Sequence, residues 1–253
     1  MSAVQNQLAQ FDPISLKEMD SVALLNRTDS KFVFSLDQLF SLLQICKNDY
    51  RALDINGVRL GNYRTLYFDT QTFDLYNNHH RGMEQRFKVR MREYVESKLF
   101  YLEVKFKVKG RTDKKRTKIT GITETLNEEQ KSYVEKLTKS DKLLIPALWN
   151  QFQRMTLVSR AYPERVTIDL NLGFKMPDNK NGYTEYPNLV IAEIKQDNRS
   201  RNTSFMKALK ALGVRECGMS KYCVGTSMLN TGVKYNNFKE RILQIQKLNK
   251  KAA

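Results

Sequence analysis

The stretches QRFKVRMREY (residues 85–94) and FYLEVKFKVK (residues 100–109) decide how this chain is read. Both alternate with period two, the signature of a half-buried strand. Arg86, Lys88, Arg90 and Arg92 share one face of the first, and Phe87, Val89 and Met91 share the other. In the second, Glu103, Lys105, Lys107 and Lys109 stand opposite Leu102, Val104, Phe106 and Val108. A solvated sheet face mixes its signs, because like charges directly opposite repel. Here one face of a hairpin is nearly pure positive charge with a single carboxylate, Glu103, set in it. That pattern marks a polyanion site, with Glu103 as a candidate metal ligand.

The same alternation recurs outward from the hairpin. Lys114, Arg116 and Lys118 fall on one face of residues 112–121, and Arg27, Asp29 and Lys31 on one face of residues 26–34. Residues 165–174 set Arg165, Thr167, Asp169 and Asn171 against Val166, Ile168, Leu170 and Leu172. The apolar run 189–196 carries Glu193 and Lys195 on one face. Residues 63–70 and 155–161 read as further strands. The spacing predicts helices over 36–45 behind an N-cap at Ser35, over 127–138, 143–153, 204–212 and 238–248, and a short helical link over 72–77. Residues 55–58 carry an Asn-Gly turn, 175–188 read as a loop, and 219–225 form a short segment holding Lys221. Residues 1–20 read as a weak helix or arm broken at Pro13, with Ser15 as a cap. Charged faces on about eight strands, with helices placed to cover the apolar faces, imply an α+β fold. The economical arrangement is a closed antiparallel eight-stranded β-barrel with a basic lumen and flanking helices. The division expected is an N-terminal arm over 1–25, a tunnel domain over 26–230, and a C-terminal amphipathic helix and tail over 231–253.

Composition agrees with an anionic partner. The chain has 253 residues, a formal net charge of +16 and 41% hydrophobic residues, enough for a core. Cys46, Cys217 and Cys223 form no CxxC pair, and the two histidines, His79 and His80, are adjacent in a turn-like stretch read as exposed. A Cys/His zinc site is therefore not expected, and sparse odd cysteines suit a cytoplasmic protein. No apolar run reaches the length of a transmembrane helix, and the first residues lack the pattern of a secretory leader. A transmembrane β-barrel shares the alternation, but helices interrupt these strands and no regular aromatic girdle is present. Trp149 and Tyr101 read as core. Phe87 and Phe106 alternate away from the charges, which argues against base stacking and against nucleic acid as the partner.

The ordered motifs NRTDSKFVF (26–34), TLYFDT with DLY (65–76), KVRMREY (88–94), LEVKFKVKGRTDKKR (102–116), SRAY with RVTIDLNL (159–172), LVIAEIKQ (189–196) and MSKYCVG (219–225) resemble the VTC domain. That is the polyphosphate-polymerase domain of the vacuolar transporter chaperone family, here in its stand-alone bacterial form, within the triphosphate tunnel (CYTH-like) metalloenzymes. The resemblance implies a tunnel of antiparallel strands that binds the triphosphate of ATP through Arg and Lys, with Mn²⁺ or Mg²⁺ on a carboxylate. It assigns phosphate contacts to Lys31, Arg81, Arg90, Arg92, Lys105, Lys114, Arg116, Arg160, Arg165 and Lys221. Of these, Arg90, Arg92, Lys105, Arg160 and Lys221 are expected at the reacting phosphates. Lys88, Lys107 and Lys195 share their faces and join the phosphate-binding set. The metal ligand implied is Glu193, followed by Lys195 in the family's ExK strand, with Glu103 and Asp169 as helpers. The superfamily's N-terminal ExExK is here Arg27-x-Asp29-x-Lys31, which weakens water-activating, two-metal chemistry. No SPX sensor is read in the sequence, so inositol-phosphate control is not carried over.

The readings in order are an ATP-dependent polyphosphate polymerase, a tripolyphosphatase or nucleoside triphosphatase of the same fold, and a non-catalytic polyphosphate-binding module. The partners expected are ATP and polyphosphate or pyrophosphate, with recruitment by a membrane protein left open.

Overall fold

The computed structural model describes residues 2–21, 28–108, 111–179 and 181–250, with the main chain alone for residues 20, 21, 108, 111 and 112. Arg27 and Lys109 lie outside the described residues. In chain order the elements are α1 (Ala3–Leu8), β1 (Asp12–Ile14), α2 (Leu16–Ser21), β2 (Thr28–Ser35), α3 (Leu36–Cys46), β3 (Tyr50–Leu53), β4 (Gly61–Asp69), α4 (Asp74–His80), β5 (Arg86–Tyr94), β6 (Leu99–Val108), β7 (Arg111–Ile119), α5 (Glu128–Thr138), β8 (Ile145–Ser159), β9 (Glu164–Lys175), β10 (Thr184–Tyr186), β11 (Leu189–Gln196), α6 (Ser204–Ala211), α7 (Lys221–Leu229) and α8 (Lys239–Lys250). Local sequence sets the helix starts. Ser35 with Gln38 and Asn127 with Gln130 form capping boxes that satisfy the first free amides of α3 and α5. Ser15 likewise accepts from the Glu18 amide at the start of α2.

The fold is α+β, an antiparallel sheet with flanking helices. Its main path runs β2-β11-β9-β8-β4-β5-β6-β7, and short β1 joins β3 in parallel at the margin. The closed barrel expected from the sequence is not what the hydrogen bonds draw. Among the described residues no pairing joins β7 back to β2. Part of the free edge of β2 is taken by the segment entering α7: Phe32 bridges Glu216, and the Cys217 amide donates to the Lys31 carbonyl at 2.8 Å. A strand edge already bonded cannot accept β7 there.

Two further elements differ from the sequence reading. Of residues 143–153, expected as a helix, 145–153 belong to the fifteen-residue strand β8. Its apolar run fits either period, and strand pairing on both sides, to β4 and β9, decides it. Within residues 219–225, read as a short segment, Lys221 to Gly225 are the first turns of helix α7, capped by Ser220.

The alternation places the core. Phe32, Phe34, Val190, Ala192, Ile194, Val166 and Ile168 turn outward beneath α3 and α6. Leu66, Phe68, Val89, Met91, Leu102 and Val104 turn outward beneath α5. The charged positions therefore line the concave face. One end of that concavity is filled by α7 and α8, which pack Tyr222, Cys223, Val224 and Ile245 on Val33, Leu148, Leu172, Phe174 and Ile191. Buried Asp69 locks this plug: it accepts the Leu75 and Tyr76 amides at 2.8 Å and the Tyr222 hydroxyl, tying β4 to α4 and α7. No helix among the described residues is long and apolar enough to cross a membrane.

Gly225 shows how close the plug sits. A Cβ there would stand 2.5 Å from the Phe174 ring and 2.8 Å from a Leu148 methyl, both fully buried. Alanine gains about 1 kcal/mol of helix propensity over glycine, but overpacking a fixed core costs about 1–3 kcal/mol, and contact this short puts the cost at the upper end. Gly225→Ala is expected to lower the melting temperature by several degrees, read in a thermal melt; an unchanged or raised value would show that α7 is not seated against β8 and β9.

Candidate active site on the concave face

Each strand contributes alternate side chains to the concavity. Lys31 comes from β2, Glu193 and Lys195 from β11, Arg165 and Asp169 from β9, and Arg154 from β8. Arg86, Lys88, Arg90 and Arg92 come from β5, Glu103, Lys105 and Lys107 from β6, and Lys114 and Arg116 from β7. Helix α7 enters with Lys221 at its first turn.

Glu103, Asp169 and Glu193 stand among these cations, and each is held between two of them. Glu103, fully buried, takes Arg90 on one oxygen at 2.6–2.7 Å and Lys114 on the other at 2.9 Å. Asp169, 2% exposed, receives Arg154 bidentately at 2.6 and 2.8 Å and also Lys221. Glu193 lies 3.1 Å from Lys195 and 3.7 Å from Lys31. Burial pushes all three carboxyls up, and the neighbouring cations override it: Arg90, Arg92 and Lys114 at Glu103, Arg154 and Lys221 at Asp169, Lys195, Lys31 and Lys105 at Glu193. All three are held well below the usual carboxylate range.

Two cations per carboxylate leave positive charge over, and further cations add to it. Arg92 is 5% exposed, donates to the Thr65 hydroxyl at 3.2 Å and makes no ion pair among the described residues. Burial, then Arg90, pushes its guanidinium down from its ordinary value. Burial likewise lowers Lys88. At Lys105 burial and the nearby Lys31, Lys88 and Arg90 outweigh Glu193 and push the ammonium down to about 8. Lys105 on β6 thus lies in the field of Lys31 and Glu193, which belong to the other end of the strand path. The sheet curls far enough for its two ends to act on one volume.

The family model of the VTC domain matches residues 26–230, most of the chain and all of these strands. The chain belongs to the VTC domain family. No curated protein matches the sequence. The fold is shared with a candidate adenylate cyclase from Bacillus halodurans, at 12% identity and TM-score 0.52, covering 77% of this chain and 94% of that one. A candidate adenylate cyclase from Vibrio parahaemolyticus matches at 12% identity and TM-score 0.43, over 77% of this chain and 95% of that one. An RNA triphosphatase from S. pombe matches at 9% identity and TM-score 0.32, over 91% of this chain and 87% of that one.

Within this VTC domain the structure gathers most of the sequence-predicted residues and sets two apart. Arg160 follows the last residue of β8, is exposed, and pairs with Asp12 on the outside. Arg81 is exposed at the end of α4 and lines a separate cleft of about 730 Å³ with His80 and Lys234. The residue that sequence reasoning missed is Arg154. The pattern Phe152, Arg154, Thr156 already alternates with period two, but a helix assigned up to residue 153 hid it. Tyr101, read as core, stands on the concave face with the Arg116 guanidinium 4.6 Å over its ring. Tyr63, Tyr94 and Phe152 also face inward, so rings do accompany the charges. His79 and His80 are half-buried, not exposed. Burial, then Lys88, Arg86, Lys107 and Lys105, keep His79 neutral by pushing it down to about 2.

The VTC domain implies a divalent metal. Glu103 and Asp169 have both carboxylate oxygens engaged by cations, which makes them poor helpers. Glu193 has longer contacts and a side chain 22% exposed, and no cluster of three metal-ligating side chains occurs among the described residues. One carboxylate completed by phosphate oxygens is a normal way to hold Mg²⁺. Glu193 fits that mode, and only together with a phosphate ligand.

A bound polyphosphate favours the charged form of Lys105. Binding at pH 8 is therefore expected to take up protons, and affinity is expected to fall as pH rises above 8. Calorimetry in buffers of different ionisation heat measures the uptake. Lys105→Gln should remove its share, whereas equal uptake in wild type and variant would place Lys105 outside the site.

Proposed function

We propose that this protein is an ATP-dependent polyphosphate polymerase that works in the cytoplasm. The observation that carries the proposal is the ratio on the concave face: Glu103, Asp169 and Glu193 each sit between two cations, and Arg92, Lys88 and Lys105 carry charge beyond those pairs. Such a surface is built for a ligand with many negative charges in a row. Phosphoryl transfer needs positioning and charge stabilisation of equatorial oxygens more than covalent help from the protein.

Arg90, Arg92 and Arg154 offer planar forks, and Lys105, Lys114 and Lys221 offer point charges, to the triphosphate oxygens. Glu103 and Asp169 act beneath them by fixing Arg90 and Arg154 in place. Lys31, Lys88, Arg165 and Lys195 extend the binding surface, so that a bound chain bridges the two ends of the curled sheet and completes the enclosure that the strands leave open. Glu193, together with phosphate oxygens, would hold a divalent cation, which would supply further neutralisation and polarise the transferred group. The terminal oxygen of a polyphosphate chain attacks the γ-phosphorus in line. The bond to the β,γ-bridging oxygen breaks, and its electron pair leaves with ADP. No side-chain nucleophile takes part.

Hydrolysis by the same site is the competing reading. It needs a base for water, and Glu103, Asp169 and Glu193 are all held too acidic for that role. Incubating the protein with ATP and Mn²⁺ or Mg²⁺ separates the readings: polymer with ADP supports the polymerase, and free phosphate without polymer overturns it. Glu193→Gln is expected to reduce metal-dependent turnover by about two orders of magnitude or more while tripolyphosphate binding survives. Unchanged turnover would remove Glu193 as the metal ligand.

A further inference from the structure

The link between α7 and α8, residues 230–238, runs beside α4 and is strapped to it. The Tyr76 hydroxyl donates to the Lys234 carbonyl at 2.7 Å, and the Asn237 side-chain amide donates to the His80 carbonyl at 2.6 Å. Between the link and α4 lies the cleft of about 730 Å³ that Arg81 lines. Helix α4 separates this cleft from the concave face. Asn77, His80 and Arg81, spaced i, i+3 and i+4, share the side that lines the cleft. His79 lies instead in the field of the concave-face cations Lys88, Arg86, Lys107 and Lys105.

The lining of the cleft carries two cations, Arg81 from α4 and Lys234 from the link, and no carboxylate. Both side chains are exposed, and neither has an ion pair or a side-chain hydrogen bond among the described residues. Asp74, in the adjoining first turn of α4, is engaged by Lys142 at 2.7 Å and by the Thr72 hydroxyl at 2.9 Å. Amide side chains stand around the cations with half of their capacity open. Asn77 donates to the Thr72 carbonyl and Asn237 to the His80 carbonyl, which leaves both side-chain oxygens as acceptors. Asn230 accepts the Gly232 amide, which leaves its NH₂ group as a donor. Phe73 and Val233 add apolar surface.

We propose that this cleft binds an organic phosphomonoester of about nucleotide size, and that its occupant strengthens the plug. A guanidinium fork and an ammonium on opposite walls suit a phosphate dianion. A free phosphate ion fills little of such a volume, whereas open amides beside apolar surface suit a polar organic body. The bound phosphate bridges Arg81 and Lys234 and so ties the link to α4. That link joins α7 to α8, the two helices that fill one end of the concavity. The site stands apart from the polymerase reading, since neither cation belongs to the concave face.

Calorimetric titration of the full chain with AMP, ribose 5-phosphate and orthophosphate tests the site. Both esters are expected to bind more tightly than orthophosphate. Arg81→Ala and Lys234→Ala should each weaken AMP about tenfold and together abolish its binding, with the ligand-free melting temperature and tripolyphosphate binding unchanged. Hydrogen exchange over residues 230–250 should slow with AMP in wild type and not in the double variant. Equal AMP affinity in wild type and double variant overturns the site, as does a wild-type protein that binds none of the three. Orthophosphate bound as tightly as the esters overturns the organic ligand, and AMP binding without slowed exchange overturns the hold on the plug. Tripolyphosphate binding by wild type judges the concave face separately.

Discussion

Crowding of like charge on one face of a sheet is the constraint around which this protein is built. Burying a cation without a partner costs several kcal/mol, and Arg92 is buried against the Thr65 hydroxyl and the Tyr63 and Phe152 rings, with no ion pair among the described residues. The fold limits that cost by setting Glu103, Asp169 and Glu193 each between two cations, which fixes the guanidinium and ammonium groups without cancelling them. The remainder is discharged by the ligand. Affinity for a polyanion is thus stored as destabilisation of the ligand-free site, and the depressed ionisation of Lys105 and Lys88 expresses it.

Holding such a face together falls to the opposite one. The outward residues of β2, β11 and β9 pack beneath α3 and α6, and those of β4, β5 and β6 beneath α5. The end plug does more than fill space. Asp69 fixes Tyr222, and the neighbouring Lys221 is thereby delivered to Asp169. A buried acid remote from the concave-face cations in sequence thus sets one of them in position.

Much of this was legible in the sequence where the period was unambiguous. The β5–β6 hairpin, the Glu193 strand and the capped helix α3 follow directly from alternation and capping chemistry. What escaped did so for physical reasons. The start of β8 is apolar at both helical and strand spacings, so only its pairing partners define it, and Arg154 was lost with it. Arg160 lies one residue past the strand end, where alternation no longer carries a side chain inward. Barrel closure is not confirmed by the strand pairing among the described residues, where part of the β2 edge is occupied by residues 216–217, a contact between segments far apart in the chain. The inward tyrosines were overlooked because Phe87 and Phe106, the more conspicuous rings, face the other way.

The central claim is that these cations converge on one polyanion-binding volume. Melting temperature measured with inorganic tripolyphosphate, against sodium chloride of matched ionic strength, tests it most directly. A ligand that binds only the folded protein adds about 2.7 kcal/mol at a hundred times its dissociation constant. The account predicts a rise of several degrees with tripolyphosphate beyond that with salt. Equal melting temperatures in the two would mean that the basic faces do not converge, and would contradict it.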